Sequence, residues 1–214
     1  QSDVVRAVIR IVEEHIRRDD VLFLFGSYSI GKERLFMAVA STFNVKICVT
    51  PAKRRLIGAF GWSEAQTKRV TVDPNTTRFH VVPMKDLRVA NAKKRMRRWA
   101  RYKRVVTVRP TGWTHRGSAA SSGDYRPRRS GPVYAYGVPY SEHSSFAELC
   151  DFVQTFQPRE IIPTVGRSGD SARMIRLLLG HPAPSKTRNR PLGAVDGAPV
   201  GSSELRDLLS AAAD

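Results

Sequence analysis

Val21–Ala40 reads VLFLFGSYSIGKERLFMAVA: an apolar run enters Gly26, Gly31 and Lys32 follow, and an apolar helical pattern continues. Glycines and a lysine between a strand and a helix suit a phosphate-cradling turn, because converging backbone N–H groups, a helix N-terminus and a cation all favour an anion. The spacing G-x-x-x-x-G-K is that of a P-loop. The next position departs from it: Glu33 stands where a Ser or Thr hydroxyl would hold magnesium, and it sets a carboxylate beside the phosphates. The following strand, VKICVT (Val45–Thr50), ends in Thr50 and offers no Walker-B aspartate. An ordinary strand–turn–helix therefore ranks above an ATP site here.

The elements that must position this turn are legible from periodicity. Val4, Val5, Val8, Ile9, Val12 and Ile16 recur at helical spacing behind Asp3, which can cap a helix. VLFLF is a buried strand, 32–43 a helix, and 45–50 the next strand. Strand, helix, strand is a βαβ unit and implies a parallel sheet. PAKRRLIGAFG opens a helix with Pro51 in its first turn. TRFHVVPM, VVTVRPTGW, VYAYGVPY and REIIPTVG read as strands, SSFAELCDFVQTF as a helix capped by Ser144 or Ser145, and Met174–Leu179 as a last helical turn or two. RGSAASSGDYRPRRSGP is a polar Gly/Ser-rich loop, and the Pro/Gly-rich segment from His181 on is expected to be disordered.

Charge points to the partner. The 214 residues carry 36 Lys and Arg against 19 Asp and Glu, a net +17, which favours DNA, RNA or an anionic membrane. An apolar content of 41% suffices for a core, and no apolar run is long enough to span a bilayer. Cys48 and Cys150 form no CxxC pair and are expected to be buried, reduced thiols of an intracellular protein. The densest cations are Lys93, Lys94, Arg95, Arg97, Arg98, Arg101, Lys103 and Arg104, around Trp99 and Tyr102. On a helix they form a phosphate-backbone tracker, salt-sensitive and indifferent to sequence, with Trp99 or Tyr102 free to stack on an unpaired base. A solvated helix face or a nuclear localisation signal accounts for the same run.

Five segments in order, GSYSIGKERLFMAVA, VTVDPNTTRFHVVPM, RPTGWTH, YGVPYSEHSSFAEL and PREIIPTV, give the first 166 residues or so a specific likeness. Together they resemble the C-terminal half of the SNM1/Pso2 DNA cross-link repair nucleases, in the β-CASP branch of the metallo-β-lactamase superfamily. The resemblance makes the glycine turn a β-CASP feature, its match to Walker A superficial. It implies an α/β fold: a β-CASP domain with a mostly parallel sheet flanked by helices over residues 1–136, and the C-terminal strands and helix of a metallo-β-lactamase αββα core over 137–166. A short helix and tail would occupy 167–214.

The resemblance implies a chemistry too: phosphodiester hydrolysis by metal-bound hydroxide at a two-zinc centre, preferring a 5′-phosphate, in a nuclear DNA-repair protein acting on damaged, 5′-phosphorylated DNA ends. Most of the family's zinc ligands come from an H-x-H-x-D-H motif, and no two of His15, His80, His115, His143 and His181 have that spacing. The chain is therefore expected to be truncated relative to the family and, alone, not to hold a two-zinc site. His143 in YSEHSS matches the family's late zinc ligand; a turn histidine capping the next helix is the plain alternative. Glu142 is expected to be exposed or to support the site without ligating.

Ser141 and Ser144 could reach a phosphate beside the metals. Lys53 or Arg55 would stand where the family carries a phosphate-contacting lysine, with a solvated helix face as the rival reading. Lys32 would hold the turn by pairing with a carboxylate or capping carbonyls, and remains a weaker phosphate candidate. Arg109 is a possible DNA contact; Trp113 is expected to pack, and His115 to lie at the surface. Three functions follow: an SNM1-type nuclease, with an RNA-processing β-CASP nuclease behind it; a non-catalytic nucleic-acid-binding module using the basic face; and a P-loop NTPase.

Overall fold

Strand β1 (Val21–Ser27) is buried along its whole length and sits at the middle of a seven-stranded sheet of order β3-β2-β4-β1-β5-β7-β6. The computed structural model describes residues 2–112, 125–164 and 168–180. The chain divides into two units, 1–142 and 143–214, and the sheet belongs to the first.

In order, the first unit contains α1 (Ser2–Ile16), β1, α2 (Glu33–Thr42), β2 (Ile47–Cys48), α3 (Pro51–Gly58), α4 (Glu64–Lys68), β3 (Val70–Thr71) and β4 (Phe79–Pro83). A 3-10 turn at Met84–Leu87 leads to α5 (Val89–Met96), β5 (Arg104–Thr111), β6 (Arg128–Ser130) and β7 (Val133–Pro139). Every pairing is parallel except β6 with β7. The mostly parallel sheet flanked by helices is the arrangement expected from the βαβ pattern. Its central strands β1, β4 and β5 are mainly apolar on both faces because both are covered. Phe23, Phe25, Phe79, Val81, Val106, Val108, Tyr136 and Val138 pack with α1, α2 and α3; Leu22, Leu24, Val82, Val105 and Val133 pack with the 3-10 turn and α5.

Several details differ from the sequence reading. The buried stripe of α1 runs Ala7, Val8, Ile11, Val12 and His15, with Ile9 only half-buried. The basic segment is helical only to Met96; Arg97–Lys103 turn back toward β5. Arg128–Ser130, read as loop, pair with β7 across the Gly131–Pro132 turn, where Gly131 takes φ 59°. β7 pairs with β5 along 133–139. Cys48 is buried, and its thiol pKa is pushed up by that burial; Cys150 is only half-buried. Trp113, His115 and the tail from 181 lie outside the described residues.

The second unit contains α6 (Phe146–Phe156) and α7 (Ser168–Leu178). Ser145, not Ser144, caps α6: its hydroxyl accepts from Glu148 N, and the Glu148 carboxylate accepts from Ser145 N. Those bonds hold the Glu148 pKa below the ordinary carboxylate value. The expected strand REIIPTVG is not formed over its described residues, 159–164. A strand needs a neighbour to accept its hydrogen bonds. These residues find none among the described ones, and Pro163 lacks an N–H altogether.

Candidate functional site

Parallel strands deliver the residues that follow them to one edge of the sheet, the carboxyl edge, where ligands of open α/β folds bind. The turn 28–32, Thr50–Lys53, Met84, Arg109–Gly112 and Ser141–Glu142 all follow, or end, strands of this sheet and share that edge. Sequence alone offers no way to see that the 28–32 turn and the 51–55 cluster meet.

They meet through Lys53. Its ammonium donates to Ser27 Oγ (2.8 Å), the Tyr28 carbonyl (3.0 Å), the Ser29 carbonyl (3.3 Å) and Glu33 Oε1 (2.7 Å). The Lys53 and Glu33 side chains are only 7% and 12% exposed. Lys53 thus spends its charge inside the protein, clamping the glycine turn. Arg55 on the same helix is exposed, and Arg54 is half-buried. Thr50 caps α3, accepting from Lys53 N at 3.2 Å.

The turn answers the P-loop question. Gly31 (φ 103°) and Lys32 (φ 69°) both take left-handed backbone. Gly31 N donates to Glu33 Oε1 at 3.0 Å, and Lys32 N to Glu142 Oε2 at 2.8 Å. The amides that would cradle a phosphate are bonded to the protein's own carboxylates, so Glu33 and Glu142 occupy the anion position. This geometry argues against a nucleotide site. Lys32, strained as a non-glycine in this region, is buried; its ammonium donates to the Tyr140 carbonyl at 3.2 Å and lies over the Tyr140 ring. Burial lowers its pKa, against the raising influence of Glu142 and Glu33. Glu142 also accepts from Tyr140 OH at 3.3 Å.

Arg109 is half-buried and donates to the Met84 carbonyl at 3.3 Å. Ser141 is half-buried and lies beside Gly112, where a Cβ would meet the Ser141 Cβ at 3.6 Å. His143 and Ser144 open the second unit, immediately before the Ser145 cap; both are exposed.

The basic run stands at the other edge of the sheet. Lys103 N and Arg104 N both donate to Asp20 O, just before β1 begins, and the Lys93 side chain reaches the Gly131 turn that precedes β7. Lys94, Arg97, Arg98, Arg101 and Lys103 are exposed there. The aromatics are not free to stack on bases: Tyr102 is buried, and Trp99 donates to Asn75 Oδ1 at 2.8 Å while packing edge-on against His80 and Tyr102.

No three His, Cys, Asp or Glu side chains gather to hold a metal among the described residues. A zinc centre draws on three or four such ligands. His143 offers one imidazole, so these residues do not by themselves fit a metal centre. No helix among the described residues is long and apolar enough to cross a membrane.

Residues 64–169 match the DNA repair metallo-beta-lactamase family. The chain is 39% identical over 179 residues to the DNA cross-link repair protein SNM1 of Arabidopsis thaliana, covering 81% of this chain and 37% of that protein. It is 32% identical over 167 residues to the human DNA cross-link repair 1A protein, covering 77% of this chain and 16% of that one. A third relative is the chicken 5′ exonuclease Apollo, 26% identical over 160 residues, with 75% and 30% covered. The chain thus spans between about a sixth and two fifths of the length of these curated relatives.

Proposed function

This chain belongs to the SNM1/Pso2 family of DNA cross-link repair proteins, and from that we propose that it is part of a zinc-dependent, 5′-phosphate-directed DNA exonuclease acting in interstrand cross-link repair in the nucleus. In this reading residues 1–136 are a β-CASP domain and 137–166 the return segment of the metallo-β-lactamase core. His143 is one ligand of a zinc centre whose other ligands come from elsewhere in the polypeptide. Ser141, Ser144 and Arg55 contact substrate phosphates. Lys53 and Lys32 position the glycine turn, and Arg109 holds the Met84 segment beside it. The observation that carries the reading is the match over 64–169, which includes TGWTH and YSEHSS.

A second reading is favoured by the +17 charge: a nucleic-acid-binding protein without catalysis, using the basic face formed by Lys93, Lys94, Arg97, Arg98 and Arg101. The test is digestion of 5′-phosphorylated single-stranded DNA by the longest natural polypeptide containing this sequence, as wild type and as His143→Ala. Digestion abolished by chelator and by the substitution supports the nuclease. Salt-dependent DNA binding without digestion, unchanged by His143→Ala, supports the binding protein.

A further inference from the structure

Two large apolar side chains stand out of the glycine turn: Tyr28 is 60% exposed and Ile30 is 66% exposed. Exposed apolar groups are common on mobile loops, but this turn is fastened from within. Lys53 binds residues 27, 28 and 29, Ser27 Oγ donates to the carbonyls of Tyr28 (3.0 Å) and Gly31 (2.8 Å), and the amides of Gly31 and Lys32 are tied to carboxylates. The backbone that carries Tyr28 is held in place while its ring stays in water. A ring so presented loses little conformational entropy when a partner covers it.

Beside Tyr28 is a cleft of about 280 Å³ at the carboxyl edge of β1, β2 and β4, lined by Tyr28, Ser29, Thr50, Ala52, Leu56 and Met84 among others. Ligand pockets run from about 300 Å³ upward, so this one suits a single ring system rather than an extended ligand. Its surface is mainly apolar, with hydroxyls at Ser29 and Thr50. Lys53 lines it too, but its ammonium already serves four internal acceptors. The cleft is therefore ill-suited to a phosphate and well-suited to a flat ring with apolar faces and a polar rim. Arg55, exposed on α3, supplies a cation nearby on the same helix.

We propose that the cleft beside Tyr28 takes one unpaired nucleobase of a DNA strand, stacked on the Tyr28 ring, with the strand's backbone passing over α3. This rests on the proposal that the chain acts on DNA and adds a base-stacking site to it.

The test uses this chain and single-stranded DNA carrying 2-aminopurine at successive positions, read by fluorescence and by affinity across a salt series. Wild type is expected to alter the fluorescence at a single position. Tyr28→Ala should lose that signal and weaken binding by at least about fivefold, the lower end for base–aromatic stacking, while the salt dependence stays unchanged. Tyr28→Phe should keep both, and Ala52→Trp, which fills the cleft, should behave as Tyr28→Ala. Salt-dependent binding by wild type that neither Tyr28→Ala nor Ala52→Trp alters overturns the stacking site and leaves the DNA reading standing. No DNA binding by wild type overturns both.

Discussion

The Lys53 ammonium and the Glu33 carboxylate lie 2.7 Å apart, and both side chains are almost closed to solvent. The pair joins α3 to the first turn of α2 and fixes the glycine turn between them. Removing one partner leaves a charge stranded inside, a loss of about 3–5 kcal/mol for buried pairs. Lys53→Met should therefore destabilise the protein by about that much in urea unfolding. Glu33→Gln, which keeps an acceptor for Lys53 and Gly31 N, should cost less.

Gly26 leaves no room for a side chain in β1. A Cβ there would sit 2.5 Å from both Leu87 Cδ1 and Met84 Sδ. Gly26→Ala should cost about 1–3 kcal/mol through overpacking, seen as a lower urea midpoint at unchanged slope. Leu87→Ala in the same chain should recover part of the Gly26→Ala penalty beyond what the two single changes predict by addition.

His80 is fully buried, with Nε2 at 3.0 Å from the Thr77 carbonyl and 3.1 Å from the Pro74 carbonyl. Both are acceptors, so Nε2 carries the proton, and Nδ1 has no hydrogen-bond partner among the described residues. Burial lowers the pKa from 6.5 to about 4. The unfolded chain then binds the proton more readily than the folded one, so stability falls as pH drops from 6.5 toward 4. The loss reaches about 3 kcal/mol. Urea unfolding across that window should show the slope in wild type and a shallower one in His80→Gln. His15, whose pKa is also lowered by burial, contributes in the same direction and remains in both.

Arg97, Arg98 and Arg101 are exposed and at the amino edge of the sheet. Replacing all three by Gln should change the unfolding free energy by only about 0.5 kcal/mol for each residue. Duplex DNA affinity should fall, and the slope of log affinity against log salt should drop by about 0.9 for each phosphate that the protein no longer neutralises.

The sheet was legible because its central strands are mainly apolar on both faces and separated by clear helical patterns: VLFLF needs no context to be read as a buried strand. Short elements were not. Arg128–Ser130 carry no apolar signal, and only pairing with Val133–Ala135 makes them a strand. Residues 159–164 carry the signal and find no strand neighbour among the described residues. His15, a polar residue outside the apolar pattern, completes the α1 stripe and bonds Tyr136 OH at 2.9 Å. At the site, the residue types were visible but not their partners. Lys53 looked like a free cation in AKRR because Glu33, its counter-ion, is twenty positions earlier. Glu33 looked like a defect in a phosphate loop because its role appears only when α3 folds against it. Trp99 and Tyr102 looked available to bases until Asn75 and the core claimed them.

The two opposite edges of the sheet set a length. β1 runs from Val21, beside the basic edge, to Ser27, beneath the glycine turn. The six steps between its seven residues, at about 3.3 Å each, make roughly 20 Å. A strand of duplex DNA, advancing about 3.4 Å per nucleotide along the helix axis, covers that distance in about six. On the proposal that DNA meets both edges, duplexes shorter than this would reach one edge at a time, and longer ones would bridge both. The protein would then act as a molecular ruler, its affinity rising in a step near that length instead of climbing smoothly with every added nucleotide.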